Sequence, residues 1–299
     1  MSRRSKLFNS LGLIFLFLVI FTLGLSIAKK RIYDSNLGIN LLLMTDGGMG
    51  VVSVRQASGI AGITKLPDNL EIQTEPFGGV YLTESFYKVG LPFKDSLDIA
   101  RISVGQNLGV ALSAVVKGKS PLSLTGLREA LLSFRTQTNL GLIDRYFLLK
   151  DITTLIGKGS VLEIPIPRNV VTNFEAPDGK DILKLNPAVF VWSRNKFTTD
   201  EVLSETAELT VVNGSGFEGK ARLVARQIES AGGRVIDVLS ARNEVSGWCL
   251  LAGDLKAHPQ TVKFLKYSYN CETSDNIDLN DYIESDVKSD LVMILGKRY

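Results

Sequence analysis

The stretch Leu209-Thr210-Val211-Val212-Asn213-Gly214-Ser215-Gly216-Phe217-Glu218-Gly219-Lys220-Ala221 decides the reading of the chain. A short apolar, β-branched run gives way to an Asn-Gly-Ser-Gly cluster, where backbone freedom and side-chain turn bonding favour a tight turn. A helical pattern follows over Gly219–Ala231, then Gly232-Gly233 and a second β-type run, Val235–Leu239. The order is strand, turn, helix, strand. A second round follows as a strand at Trp248–Ala252, a proline-started helix at Pro259–Tyr267 and a last strand at Leu291–Leu295. Two β-α-β rounds in so short a span predict a small α/β sandwich of ferredoxin-like kind over residues 207–299.

Gly214, Gly216 and Gly219 also satisfy G-x-G-x-x-G after a strand and before a helix, the pattern that sets a pyrophosphate against a helix N-terminus. Two features argue against a dinucleotide. Asp237 lies inside the second strand, so no carboxylate stands at its end for a ribose, and the unit is too short for both halves of a dinucleotide fold. The glycines are therefore read as turn residues. Asn213, Gly214, Ser215, Gly216 and Gly219 remain a candidate binding turn, and the Asn213-Gly214-Ser215 sequon is read as chance because a tight turn is a poor glycosylation acceptor.

Upstream, residues 39–185 read as a larger α/β domain. β-type runs at Ile39–Met44, Val51–Val54, Ile60–Leu66 and Leu70–Thr74 precede helical patterns at Leu82–Val89, Asp95–Ile102, Leu122–Phe134 and Leu142–Ile156, with an apolar strand at Leu108–Val116. Extended segments with Pro165, Pro167 and Pro177 close it, and residues 186–206 form a partly helical connector.

At the N-terminus, Leu7–Ala28 carries no charge. Its 22 residues, at about 1.5 Å each, are long enough to cross a hydrocarbon core about 30 Å thick. The run exceeds the usual apolar region of a cleaved signal peptide, although Ser26-Ile27-Ala28 has the small residues of a cleavage site. The expectation is a cytoplasmic tail at 1–6, an uncleaved transmembrane anchor at 7–28, a linker at 29–38 and an exported remainder. Basic residues flank the run on both sides, so export is inferred from the short tail and long C-terminal part.

Composition narrows the function. The 299 residues hold 34 Lys and Arg, 31 Asp and Glu, and a formal charge of +3. Six of the basic residues precede Asp34, the first acidic one, so residues 32–299 are slightly acidic at −3. A folded surface of that charge is a poor match for nucleic-acid phosphates. One histidine, His258, and two cysteines, Cys249 and Cys271, cannot build a four-ligand structural zinc site. Export would let Cys249 and Cys271 pair, closing a loop worth about 3 kcal/mol; two separate buried thiols are the alternative.

The stretch Leu209–Ala221, the later Gly232-Gly233 and the closing Asp290-Leu-Val-Met-Ile-Leu-Gly296 resemble the C-terminal domain of LytR-type cell-envelope proteins, whose hallmark is a V-x-N-G-[ST]-G-x-x-G-x-A turn. In that family the module often follows an anchor and a LytR-CpsA-Psr domain, which transfers glycopolymers from polyprenyl-pyrophosphate lipids to peptidoglycan. Ile39–Asp46 is similar to that domain's first strand, Leu66-Pro67-Asp68-Asn69 falls where it has I-P-R-D-T, and Phe134–Tyr146 is similar to its late arginine-rich helix entry. The departures are chemical. No arginine precedes Asp68, Leu142 replaces another, Asn139 replaces an aspartate, and the segment after the first strand is shortened to Gly47–Val52. Planar guanidinium groups are what hold a pyrophosphate.

The resemblance therefore implies a degenerate relative: a membrane-anchored, extracytoplasmic protein without catalytic residues, binding wall polymer or an envelope protein, with no metal and no cofactor. The alternative is a divergent phosphotransferase using Asp46, Arg55, Arg135 and Arg145 with Mg2+ on the diphosphate, the apolar runs Leu108–Val116 and Leu142–Ile156 lining a polyprenyl tunnel or simply forming the core.

Overall fold

The structure is a computed structural model that describes residues 31–74, 79–89, 96–177, 179–273, 279–283 and 287–298. The anchor expected at 7–28 lies outside these residues. Among the described residues no helix is long and apolar enough to cross a membrane.

The first domain is built on a six-stranded mixed sheet. Its centre is the hairpin β1 (Ile39–Thr45) and β2 (Gly48–Arg55), antiparallel with Ile39 opposite Val54 and Thr45 opposite Gly48. The hairpin continues through β3 (Ile60–Lys65), while β6 (Ala114–Lys117) lies parallel to β1 on its other side. β7 (Gln137–Thr138) and β8 (Val161–Glu163) form the edges, giving the order β7-β6-β1-β2-β3-β8. All seven residues of β1 are buried. Strand residues alternate between faces, so total burial requires a layer on each side. On one side Leu41, Leu43, Val52 and Val54 meet α3 (Leu124–Leu132) and α4 (Leu142–Gly157). On the other, Leu42, Met44 and Val51 meet α2 (Ser96–Leu108) and α5 (Ala188–Phe197). Two small hairpins flank this second layer, β4 (Glu71–Gln73) with β5 (Val80–Leu82), which leads into α1 (Thr83–Val89), and β9 (Val171–Glu175) with β10 (Asp181–Leu185).

The sequence reading of Leu108–Val116 as one strand is corrected. α2 runs on to Leu108, and Gly109 turns the chain at φ +66°, its Cα so close to the Phe190 ring that a Cβ would sit 2.5 Å from it. The strand begins only at Ala114.

The second domain holds β11 (Glu208–Asn213), α7 (Lys220–Ser230), β12 (Arg234–Ser240), β13 (Cys249–Gly253), α8 (Pro259–Tyr269), β14 (Cys271–Thr273) and β15 (Leu291–Leu295), with strand order β12-β11-β15-β13-β14. The ferredoxin-like expectation is also corrected. Each helix returns its chain to the strand directly beside the one it left: β12 pairs parallel with β11, and β14 parallel with β13. The last strand, β15, then enters between the two units, parallel to β11 and antiparallel to β13. The three-residue β14 lacks an apolar pattern and was not legible in the sequence. Asp290, just before β15, accepts the Glu208 N–H at 2.9 Å and so fixes where β11 begins. Ala221, Val224, Ala225 and Ile228 of α7, spaced as one helical face, pack on this sheet.

Residues 31–38, expected as a linker, are a docked strap. Tyr33 is fully buried and its hydroxyl donates to Asp151 at 2.6 Å, as does Ser35. Leu37 enters the core of the second domain, and Asp34 pairs with Lys263 on α8. The connector divides in the same way: Val189, Trp192 and Phe197 of α5 join the first core, while Val202 of α6 (Asp200–Glu205) joins the second.

Candidate functional site

The hairpin β1–β2 sorts the expected catalytic residues to opposite ends of the sheet. Asp46 sits in the exposed turn after β1, beside Lys117 at the end of β6. Burial pulls the Lys117 ammonium below its ordinary value, and the Asp46 charge opposes that shift. Asp68 reaches the same end, its Oδ1 lying 3.4 Å from where a Cβ on Gly48 would be. Arg55 ends β2, roughly 24 Å away at about 3.4 Å per residue. There it donates to the Lys196 carbonyl at 2.8 Å; burial lowers its pKa, and the charges of Asp200 and Glu201 oppose the shift.

The other two arginines are engaged or apart. Arg145 on α4 donates to the Leu131 carbonyl at 2.6 Å and the Ser133 carbonyl at 2.7 Å, completing the C-terminal end of α3. Arg135 lies exposed beyond that end. Thus Asp46, Arg55, Arg135 and Arg145 do not surround one point. Mg2+ needs several oxygen ligands around one ion, and among the described residues no three Asp, Glu, His or Cys side chains gather. The residues present do not fit the ion. Asn139, standing where the resemblance would put an aspartate, accepts the Val115 N–H at 2.9 Å and donates to the Ser113 carbonyl at 3.2 Å, so it fastens β6. The apolar side chains of these runs that face inward are core: Leu108, Val110, Val115, Val116, Leu148, Ile152 and Leu155 have no exposure at all.

The candidate binding turn is closed on itself. Asn213 Oδ1 accepts from the Ser215 N–H and hydroxyl at 3.2 and 2.7 Å, and Asn213 Nδ2 donates to the Phe217 carbonyl at 2.8 Å. Gly214 lies so close to the Leu295 carbonyl that a Cβ would approach it to 2.7 Å, while Gly216 and Gly219 take φ near +80°. Each glycine and the asparagine thus has a conformational or packing reason for its place. Cys249 and Cys271 are joined in a disulfide across the paired strands β13 and β14, Cα atoms 4.5 Å apart.

A cleft of about 610 Å3 lies between the domains, at a place no sequence motif marks. Its floor is the domain contact. Arg101, 6% exposed, donates to the Leu112 carbonyl at 2.6 Å and the Ser268 carbonyl of α8 at 3.1 Å, with Asp98 at 3.0 Å on its Nε. Ser113 and Ser268 share a 3.0 Å hydrogen bond beside it. Around this floor stand Arg31, Trp248, Lys266, Tyr267 and Asn270, with Cys271 at one wall. Arg101 pairs with Asp98 and Arg31 faces the buried Asp144 carboxylate at 3.8 Å, while Lys266 adds a further cation at the rim. Burial pushes the Tyr267 hydroxyl up, keeping it a neutral hydrogen-bond donor. Arg31, Lys266, two aromatic side chains and an exposed amide make a polar recess with basic groups at its rim, beside a folded part whose residues 32–299 sum to −3. Such a recess suits an anionic, hydroxyl-rich ligand. Only one signal for it was visible in the sequence, that Trp248 is one of two tryptophans; nothing there brings Arg31 beside α8.

Solved structures with a partial likeness to the chain include Bacillus subtilis TagT, 15% identical with a TM-score of 0.39 over 52% of this chain and 87% of that one. Bacillus subtilis TagV is 9% identical with a TM-score of 0.38, covering 52% and 94%. The LytR-CPS2A-psr family protein YwtF (TagT) with bound octaprenyl pyrophosphate lipid is 15% identical with a TM-score of 0.38, covering 52% and 88%. No protein-family model matches the chain, and no curated protein matches it. These likenesses are low in identity and span about half of the chain.

Proposed function

We propose that the protein is a membrane-tethered, extracytoplasmic envelope protein that holds an anionic wall polymer in the interdomain cleft and performs no transfer chemistry on it. The observation that carries this reading is the dispersal of Asp46, Arg55, Arg135 and Arg145, set against the gathering of Arg31, Lys266, Trp248 and Tyr267 around one cleft. Tethering is read from Leu7–Ala28. The Cys249–Cys271 disulfide supports an oxidising, extracytoplasmic setting for the folded part.

Co-sedimentation of the full chain with isolated wall polymer tests the proposal. Lys266→Ala and Trp248→Phe are expected to weaken retention about 10-fold each, equivalent to about 1.4 kcal/mol, while Phe217→Ala beside the closed turn leaves it unchanged. Retention that ignores both cleft variants would remove the cleft from the function. The phosphotransferase alternative keeps one supporting feature, the meeting of Asp46, Asp68 and Lys117 at one sheet end. It requires polymer transfer by the wild type and its loss in Asp46→Asn.

A further inference from the structure

Four large apolar side chains stand out from one corner of the first domain. Leu132 at the end of α3 is 60% exposed and Phe134, just beyond it, 94%; Leu142 and Tyr146 on the first turns of α4 are 71% and 64% exposed. Leu142 and Tyr146 are one helical turn apart and share a face. Arg145 between them bonds the Leu131 and Ser133 carbonyls, which holds the two pairs side by side. Isolated exposed leucines are ordinary, but a clustered apolar surface marks an interaction site. The charge around it leans basic. From residue 128 to 150 the basic groups are Arg128, Arg135, Arg145 and Lys150, against Glu129, exposed one turn before Leu132, and Asp144, buried at 1% exposure.

The chain enters the fold at this same corner. Ile32 and Tyr33 donate their N–H groups to the Asp144 carboxylate in the first turn of α4, at 3.2 to 3.3 Å. The Arg31 guanidinium lies over the Phe147 ring, 4.8 Å from its centre. Lys29 and Lys30 alone separate Arg31 from the uncharged run ending at Ala28. At about 3.5 Å per residue they allow a reach of roughly 10 Å.

We infer that Leu132, Phe134, Leu142 and Tyr146 dock into the headgroup region of an anionic lipid bilayer, the one that holds the chain's own anchor. This rests on the tethering proposed above. Aromatic side chains favour the membrane interface, where an apolar body meets hydrocarbon and a polar edge meets water. Arg135, Arg145 and Lys150 add attraction to anionic lipid. With two contacts, the anchor and this face, the domain holds one orientation on the membrane.

The test uses the full chain reconstituted in phosphatidylcholine vesicles, with and without one-third phosphatidylglycerol, carrying lipid brominated near the headgroup end of the acyl chain. Phe134→Trp places a reporter in the patch, and Val238→Trp, on edge strand β12 of the other domain, is the control. Phe134→Trp is expected to be quenched at least twofold more than the control, and more so with phosphatidylglycerol; Arg135→Glu in the same chain should reverse that lipid dependence. Quenching no greater than the control overturns the inference. So does a Phe134→Trp reporter shielded from aqueous acrylamide without lipid quenching, which would assign the patch to a second copy of the chain. Carbonate extraction reads the tether separately: a chain removed by carbonate but quenched while bound sinks the anchor and keeps the docking face.

Discussion

The two ends of the β1–β2 hairpin are made differently. At the β1 C-terminal end, Asp46 stands in an exposed turn with Lys117 and Asp68 nearby, open to solvent on one side. At the opposite end Arg55 bonds the Lys196 carbonyl, Ser113 meets Ser268, and Arg101 joins Leu112 to α8. The polar groups of this chain are thus concentrated at the domain contact. A transfer site needs charged groups converging on an open point, whereas here the converging, buried groups join two domains and frame the cleft between them.

Four variants test that contrast. Arg101→Ala should have the largest effect, because it removes a buried cation from two carbonyls and leaves Asp98 unpaired. A loss of about 3 kcal/mol is expected, read as a lower urea midpoint or as separate unfolding of the two domains; an unchanged transition would mean the domain contact is not load-sharing. Next, Cys249→Ser with Cys271→Ser, or reduction of the wild type, should lower unfolding free energy by about 3 kcal/mol or somewhat less, and thiol counting before and after reductant checks the bond itself.

Asp34→Asn should lower stability by about 1 kcal/mol at pH 7. Burial raises this carboxyl's pKa, but hydrogen bonds from Lys263 and the Asn36 N–H, with the Lys263 charge, bring it below its ordinary value of 3.8. A depressed carboxylate contributes fully above its unfolded pKa and loses that contribution as pH falls through the folded value. The wild-type and Asp34→Asn urea midpoints should therefore converge below about pH 4; a constant gap would show that the pair does not hold the strap. The smallest effect is assigned to Asp46→Asn, within about 0.5 kcal/mol in stability and without change in polymer retention. A collapse of function in this variant would reverse the comparison and restore the open end as the working one.

Much of the architecture was legible from local chemistry. The apolar runs of β1, β2, β3 and β11, the amphipathic α7 and the proline-started α8 follow from side-chain periodicity, and Gly219 and Gly232 mark turns that their positive φ angles require. β14 escapes the pattern because three residues carry no period, and the helical pattern of α2 fades after Ile102 because Ser103, Gly105, Gln106 and Asn107 interrupt its apolar spacing. The candidate site was harder to read. Arg55 and Arg145 show the same guanidinium whether they bind a ligand or a carbonyl, and their partners are set by packing. The Asn213 turn showed its residue types in the sequence, but its closure depends on hydrogen bonds visible only in three dimensions.

Local features are legible from residue order alone: which segments are strands or helices, that two α/β units follow an uncharged run, and that two cysteines are available to pair. Tertiary structure decided the rest. It placed β15 between two parallel units, drew residues 31–38 into a strap and brought Arg31 beside α8 to form a cleft. The physical reason is range. Backbone propensity and periodicity act within a few residues, whereas the cleft, the sheet order and the exposed corner at Phe134 arise from which buried faces meet, a choice made by the whole chain at once.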